Sequence, residues 1–123
     1  MKHGGKEVLV VTRDKHVREK VKEWVSPESR IRWCRGAQDA KEKLTGEDEE
    51  AVIIWDASLE DTPKAIRRLH SVRPEARIIV VSPNPRWEEA RECFRAGAVD
   101  YVSSKMSSWE RRRIRERLRQ WLV

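Results

Sequence analysis

Three short runs of apolar residues divide the chain into regular segments. They occupy positions 8–11, 51–55 and 78–81, and polar or charged residues flank each of them. Continuous apolar runs of this length are typical of strands buried on both faces of a sheet. The pattern predicts strands over 7–11, 51–56 and 77–82. Two less apolar segments, 30–34 and 99–102, complete a set of five, and the first of them alternates as an edge strand does.

Between these strands, apolar residues recur at helical spacing. Val17, Val21, Trp24 and Val25 form one stripe of a first helix, with charged residues elsewhere around it. We expect Asp14 to cap this helix, because a carboxylate before the first turn accepts backbone N–H groups. Further helices are predicted over 37–44 with an end at Thr45-Gly46, from Pro63, from Trp87 to a cap at Gly97, and after Ser107-Ser108. The predicted inner face is Ile66, Leu69 and Val72 in the third helix. It is Trp87, Ala90, Cys93 and Phe94 in the fourth helix, and Ile114, Leu118, Trp121 and Leu122 in the fifth.

Strand and helix thus alternate five times with short connections. This order predicts a single α/β domain over 1–123, with helices on both faces of a five-stranded parallel sheet and residues 1–5 as a flexible N-terminus. Ligands of such folds bind at the carboxyl ends of the strands. The residues predicted there are Thr12, Arg13, Asp14, Asp56, Ser82 and 103–105.

Composition narrows the classes of function. No apolar run is long enough to cross a bilayer, so no membrane partner is expected. Cys34 and Cys93 stand in no metal-binding spacing, which is typical of reduced core thiols in a cytoplasmic protein. The three histidines show no ligand spacing either, and we predict no metal site built on them. The formal net charge of +6 leaves an acidic partner open.

Four features at the predicted strand ends carry a resemblance to a known family. They are the polar triplet after the first strand, Asp56 closing the third, Ser82 closing the fourth, and the stretch Gly97-Ala98-Val99-Asp100-Tyr101-Val102. On these features the chain resembles the CheY-like receiver domain of bacterial response regulators, which serve two-component signalling and phosphorelays. The resemblance implies a three-layer, doubly wound (βα)5 flavodoxin-like sandwich without enzymatic activity. It also implies that Asp56 occupies the phosphoacceptor position, that Ser82 stands where a hydroxyl bonds the phosphoryl group, and that Tyr101 is the switch aromatic.

The chain departs from the family at the positions that neutralise charge. Thr12 and Arg13 replace the acidic pair that holds Mg²⁺, and Asp14 comes one residue too late. The family's lysine after the fifth strand falls on Ser104, so Lys105 could serve only if a bulge re-aimed it. Phosphoryl transfer depends on neutralisation of charge by a metal and a lysine. These departures predict a pseudo-receiver without a cofactor, and Mg²⁺ is expected only if the domain is an active receiver after all.

The charge reversal at Arg13 prompts a specific hypothesis. We expect its guanidinium to bond Asp56 and to stand where the metal would be. The alternative is that Arg13 extends into solvent.

The last helix is rich in arginine, and Arg112, Arg115 and Arg119 are predicted to lie together toward solvent. In receivers the face formed by the fourth helix, fifth strand and fifth helix often contacts a partner. Here Glu88, Glu89 and Glu92 could supply the opposite charge in such a contact or in self-association. A solvated face stabilised by pairs such as Arg112–Glu116, and nucleic-acid binding, are the alternatives. Trp33 or Trp109 is expected to be exposed at a contact surface.

Three functions follow. The favoured one is a signalling module that acts by protein–protein contact and is not switched by conventional Mg²⁺-dependent phosphorylation. The first alternative is a working receiver that accepts phosphate on Asp56. The second is a nucleic-acid-associated domain that uses the last helix.

Overall fold

The computed structural model describes residues 7–44, 51–59 and 61–122, in which five strands alternate with five helices. The predicted end of the second helix at Thr45-Gly46 and the predicted flexible segment 1–5 lie outside these residues. The elements are β1 (Glu7–Val11), α1 (Lys15–Trp24), β2 (Arg30–Cys34), α2 (Ala37–Lys43), β3 (Val52–Asp56), α3 (Thr62–Val72), β4 (Arg77–Ser82), α4 (Trp87–Ala96), β5 (Asp100–Ser103) and α5 (Ser108–Trp121).

The five strands form one parallel sheet in the order β2-β1-β3-β4-β5. β1, β3 and β4, which contain the continuous apolar runs, are the three central strands. β2 and β5 form the edges, and β2 carries arginines that discourage further strand pairing. The predicted α/β architecture with a five-stranded parallel sheet is confirmed.

Helices cover both faces of the sheet, which gives three layers. Val17, Val21 and Trp24 of α1 and Ile114 and Leu118 of α5 pack on one face, against Val8, Val10, Val52 and Ile54. On the other face, residues of α2, α3 and α4 pack against Leu9, Val11, Ile53 and Trp55. Alternate residues of each central strand serve opposite layers, which is why these strands are apolar throughout.

The predicted helix boundaries have local causes. Asp14 caps α1 as expected, because its carboxylate accepts the N–H of His16 at 2.8 Å. Ser107 and Glu110 form a capping box at the start of α5. Gly97 ends α4 at a φ of 125°, a conformation that favours glycine. Small boundary differences remain: β3 and β5 each begin one residue later than predicted, and Leu44 is the C-cap of α2 rather than its last residue.

The predicted inner face of α4 is wrong for its two aromatic residues. Trp87 is 68% exposed and Phe94 47% exposed, whereas Cys93 and Ala96 are buried. The helix packs against α3 and the sheet through small side chains, so Trp87 and Phe94 lie at the solvent-exposed edge of the helix. Arg91 stacks over the Trp87 ring at 4.7 Å from its centroid.

The two cysteines lie in the core, as predicted, and both are free thiols. Burial raises the pKa of Cys34 to about 11 and that of Cys93 to about 12. Trp55 is also buried and donates from Nε1 to the hydroxyl of Thr62 at 3.2 Å. Among the described helices, none combines the length and the hydropathy needed to span a membrane.

Candidate functional site

Asp56 lies at the carboxyl edge of the sheet, between β1 and β4, and is 2% exposed. Its Oδ2 accepts the hydroxyl of Thr12 at 2.6 Å. Its Oδ1 accepts the backbone N–H of Ser58 at 2.9 Å and the hydroxyl of Ser58 at 2.7 Å. Both carboxylate oxygens are therefore satisfied by uncharged donors.

Thr12 connects three elements through one hydroxyl group. The residue is fully buried, donates to Asp56 and accepts the backbone N–H of Asp14 at 3.0 Å. Asp14 itself turns to the first turn of α1, where it is the N-cap. The inward-facing residue directly after β1 is thus a threonine whose hydroxyl bonds Asp56 directly.

The expected pair between Arg13 and Asp56 does not form. Arg13 is exposed, and its Nε donates to the carbonyl of Arg35, after β2, at 2.9 Å. Successive side chains of an extended segment point to opposite sides, so the inward position of Thr12 directs Arg13 outward. A guanidinium beside buried Asp56 would also have to leave water, which is costly. The alternative reading of Arg13, as a side chain extended toward solvent, is the one that the geometry supports.

The residues around Asp56 do not fit a Mg²⁺ ion. Such an ion is held through carboxylates and keeps several waters. Both oxygens of Asp56 already accept hydrogen bonds, from two hydroxyls and a backbone N–H, and the carboxylate of Asp14 is engaged at the α1 cap. Within the described ranges, no group of three or more His, Cys, Asp or Glu residues has metal-binding geometry.

Ser82 and Tyr101 contact each other at the carboxyl edge of the sheet. Ser82 is buried at the end of β4. The hydroxyl of Tyr101 donates to Glu89 Oε1 at 2.5 Å and accepts the backbone N–H of Arg86 at 3.3 Å. Burial, assisted by the hydrogen bond to Glu89, raises the pKa of Tyr101, while a side-chain bond from Ser82 acts in the opposite direction. Tyr101 therefore links β5 to the first turn of α4.

The loop after β5 has no lysine directed at Asp56. The N–H of Ser104 bonds the carbonyl of Ser82 at 2.9 Å, which continues the sheet, and Lys105 is exposed. A lysine does reach this loop from α1, where Lys20 Nζ donates to the carbonyl of Ser104 at 2.6 Å. Sequence reasoning missed this contact, because the two residues are 84 positions apart.

The charged residues predicted to form one interaction surface belong to two helices and have different contacts within the molecule. Arg112, Arg115 and Arg119 are exposed as expected, but Arg115 Nε donates to the carbonyl of Glu23 in α1 at 3.2 Å, so this side of α5 is directed away from β5. On α4, Glu89 bonds Tyr101 and Glu92 pairs with Arg95 at 3.4 Å, whereas Glu88 is exposed.

A different set of residues marks the side of the molecule around β5. In the described ranges, the exposed large hydrophobic residues lie in α4, in α5 or directly before β5. Trp33 is only partly exposed. The exposed large hydrophobic residues are Trp87, Phe94, Val99 and Trp109. We call these four residues the aromatic face.

Comparison with protein-family models finds no match, and comparison with curated proteins finds none. Solved structures are similar over nearly the whole chain. The signal receiver domain of an HD-domain-containing protein from Pseudomonas fluorescens Pf-5 has a TM-score of 0.79 and 20% identity, covering 98% of this chain and 92% of that chain. A CheY-like receiver domain protein from Methanospirillum hungatei JF-1 has a TM-score of 0.75 and 21% identity, covering 94% of this chain and 95% of that chain.

A response regulator from Thermotoga maritima is similar as well, with a TM-score of 0.71 and 19% identity over 93% of this chain and 98% of that chain. Identities at this level show a common fold. Strand order, helix placement and these likenesses together assign the chain the flavodoxin-like fold of CheY-like receiver domains.

Proposed function

We propose that this chain is a receiver-like signalling module that acts by contact with a protein partner and is not switched by conventional Mg²⁺-dependent phosphorylation. The observation that carries the proposal is the state of Asp56, whose two oxygens accept hydrogen bonds from Thr12 and Ser58 while Arg13 is turned away.

The chemistry of phosphoryl transfer explains why this state matters. An aspartate nucleophile and the incoming phosphoryl group are both anionic, so their approach requires neutralising charge. Two unit charges about 4 Å apart interact by about 4 kcal/mol at an effective dielectric of 20, which corresponds to roughly a thousandfold in rate. The hydroxyl of Thr12 supplies no charge, and neither Arg13 nor Lys105 faces Asp56. Phosphorylation of Asp56 is therefore expected to be slow even with abundant phosphodonor.

The aromatic face supports action by protein contact. Trp87 and Trp109 are 68% and 69% exposed, and they lie in α4 and α5, the helices that precede and follow the edge strand β5. Exposed aromatic side chains beside an open strand edge are characteristic of protein interfaces, where tryptophan is enriched at the centre. The partner is another protein or a second copy of this chain. We propose that the protein binds its partner without catalysing a reaction, and that it does so as a soluble protein of the cytoplasm.

Intact-mass analysis after incubation with acetyl phosphate tests the phosphorylation part of the proposal. The wild-type protein is compared with and without Mg²⁺, beside Asp56→Asn. We expect no adduct in any sample. A Mg²⁺-dependent phosphate adduct that Asp56→Asn lacks would contradict the proposal and favour the phosphoacceptor alternative, for which the contact of Ser82 with Tyr101 is the supporting observation.

Sedimentation velocity over a range of protein concentrations tests the contact part. If the partner is a second copy, association appears with concentration and is lost in Trp87→Ser combined with Phe94→Ser. The matched control is Arg67→Ser combined with Arg68→Ser, two exposed residues of α3 away from β5. A wild-type protein that stays monomeric over this range excludes a second copy of the chain as the partner.

A further inference from the structure

The arginines of α5 fall into two sets with different surroundings. Arg113 and Arg117 turn toward β5, where Asp100 Oδ2 lies 2.7 Å and 3.5 Å from their Nη1 atoms. Asp100 is 6% exposed, so this cluster is part of the packing between α5 and the sheet. The other four arginines of the helix are exposed: Arg111, Arg112, Arg115 and Arg119. We call these four residues the arginine stripe.

The arginine stripe has no carboxylate partners within the described part of the chain. No Asp or Glu oxygen there lies within 4.0 Å of these four guanidinium groups. The local pair Arg112–Glu116, which would make this an ordinary solvated face, is not formed. Among the residues that the structure describes, the one side-chain hydrogen bond of the stripe runs from Arg115 to the carbonyl of Glu23, an uncharged acceptor. The four guanidinium groups are thus free of ion pairs with the described carboxylates.

The spacing of the stripe suits a repeating array of negative charge. Its positions, i, i+1, i+4 and i+8, lie on one side of a helix. At 1.5 Å per residue the stripe extends about 12 Å along the axis. Phosphates of one strand of a duplex follow one another at about 3.4 Å of axial rise, so a stripe of this length covers roughly three to four of them.

The distribution of apolar residues favours nucleic acid over protein at this surface. The exposed large hydrophobic residues belong to the aromatic face, and Trp109, at i−4 from Arg113, lies on the β5 side of α5. A protein interface needs buried apolar anchors at its centre, and the stripe offers none. Binding to a phosphate backbone needs only cationic side chains, because counterion release supplies the affinity. Guanidinium groups also match phosphate oxygens bidentately.

We propose that the arginine stripe binds the phosphate backbone of double-stranded nucleic acid without reading its sequence. The stripe lies on the side of α5 directed toward α1, and the aromatic face lies around β5. The two surfaces share no residue, so this inference goes beyond the proposed function and can hold whether or not a protein occupies the aromatic face.

Fluorescence anisotropy with a labelled duplex of roughly 20 base pairs tests the proposal at salt concentrations from about 50 to about 200 mM. Neutralisation of four phosphates gives a slope of about −3.6 for log K against log salt, at −0.9 per phosphate. We therefore expect affinity to fall by about a hundredfold over this range. Duplexes of different sequence are expected to bind alike.

The decisive comparison uses two variants of equal net charge. Arg112→Gln, Arg115→Gln and Arg119→Gln together remove three members of the stripe. Arg67→Gln, Arg68→Gln and Arg91→Gln together remove three exposed arginines of α3 and α4. We expect the first variant to bind at least tenfold more weakly at about 50 mM salt and its slope to shrink by about 2.7, while the control changes less than threefold. Thermal unfolding verifies that both variants are folded.

Three outcomes would overturn the proposal. The first is no binding by the wild-type protein at the lowest salt. The second is an equal loss of affinity in both variants, which would assign the binding to overall charge. The third is tighter binding to a deca-glutamate peptide, or to vesicles with about 30% phosphatidylserine, than to the duplex, which would assign the stripe to an acidic protein or to a membrane surface.

Discussion

The hydroxyl of Thr12 donates a 2.6 Å hydrogen bond to Oδ2 of Asp56, and both residues are buried. A second carboxylate in the place of Thr12 would meet the charge of Asp56 at close range, and such a pair requires a cation to hold it together. A hydroxyl requires none. The bond therefore explains how the carboxylate of Asp56 can be stable in a buried position at this edge of the sheet.

Thr12→Val is expected to destabilise the fold by about 1–3 kcal/mol, because it leaves Oδ2 of a buried carboxylate without its donor. Urea denaturation gives the free energy of unfolding. Thr12→Ser keeps the hydroxyl and is the matched control, with a much smaller expected loss. Equal stabilities of the Val and Ser variants would show that the hydrogen bond contributes nothing.

The raised pKa of Tyr101 can be measured directly, since this is the single tyrosine of the chain. Absorbance of tyrosinate in a pH titration is expected to give a midpoint above the ordinary value of about 10. Glu89→Gln removes the charged acceptor, so its midpoint is expected to move back toward that value. A wild-type midpoint at or below about 10 would contradict the buried, Glu89-bound position of the hydroxyl.

The same shift predicts how stability depends on pH. A folded-state pKa above the unfolded value means that the native protein retains the phenol proton where the unfolded chain has lost it. The contribution of Tyr101 is complete below about pH 10 and is lost as pH rises through the folded-state pKa. Thermal unfolding above this pH should therefore show a steeper decline for the wild type than for Tyr101→Phe. Parallel curves would mean that Tyr101 titrates alike in both states.

Arg113→Met is expected to lower the free energy of unfolding by about 1–2 kcal/mol, because of the two arginine contacts of buried Asp100 it would keep only the longer one, with Arg117. Arg112→Met, one position earlier on the exposed side, is the control and is expected to change stability by less than about 0.5 kcal/mol. Chemical denaturation distinguishes them. If both variants lost the same stability, the Asp100 cluster would have no special role in holding α5 to the sheet.

Gly97→Ala is expected to cost about 2 kcal/mol or more. The residue has a φ of 125°, and an added Cβ would lie 2.6 Å from Cδ2 of His70. Gly36→Ala is the matched control, because its φ of −179° suits any residue and its Cβ would come no closer than 3.7 Å to the nearest atom. Differential scanning calorimetry measures both. Similar melting temperatures for the two variants would refute the steric argument.

The strands were predictable because both faces of β1, β3 and β4 are buried, which leaves unbroken apolar runs in the sequence. Helix ends were predictable where a local cap determines them, as at Asp14 and Gly97. The inner face of α4 was not predictable from the sequence. Helical spacing shows which residues share a side of the helix, but not how closely that side packs against the sheet and α3. The buried residues of α4 are Cys93 and Ala96, which are small, and Trp87 and Phe94 lie outside this contact.

The candidate site could be located from sequence, but its hydrogen bonds could not. The ends of parallel strands meet at one edge, which brings Thr12, Asp56 and Ser82 together. Which of two adjacent residues faces inward depends on the exact phase of the strand, and the expectation for Arg13 was wrong for that reason. The contact of Lys20 with Ser104 depends on how α1 lies on the sheet, which no local pattern records.

The uneven exposure of the tryptophans provides the protein with an internal optical reporter. Trp24 and Trp55 are sealed in the two layers of the core, whereas Trp87 and Trp109 are open to water. Iodide should therefore quench the red-shifted part of the emission and leave the blue-shifted part unchanged. A ligand seated on the aromatic face would shield the quenchable fraction, so its docking can be followed without attaching a dye.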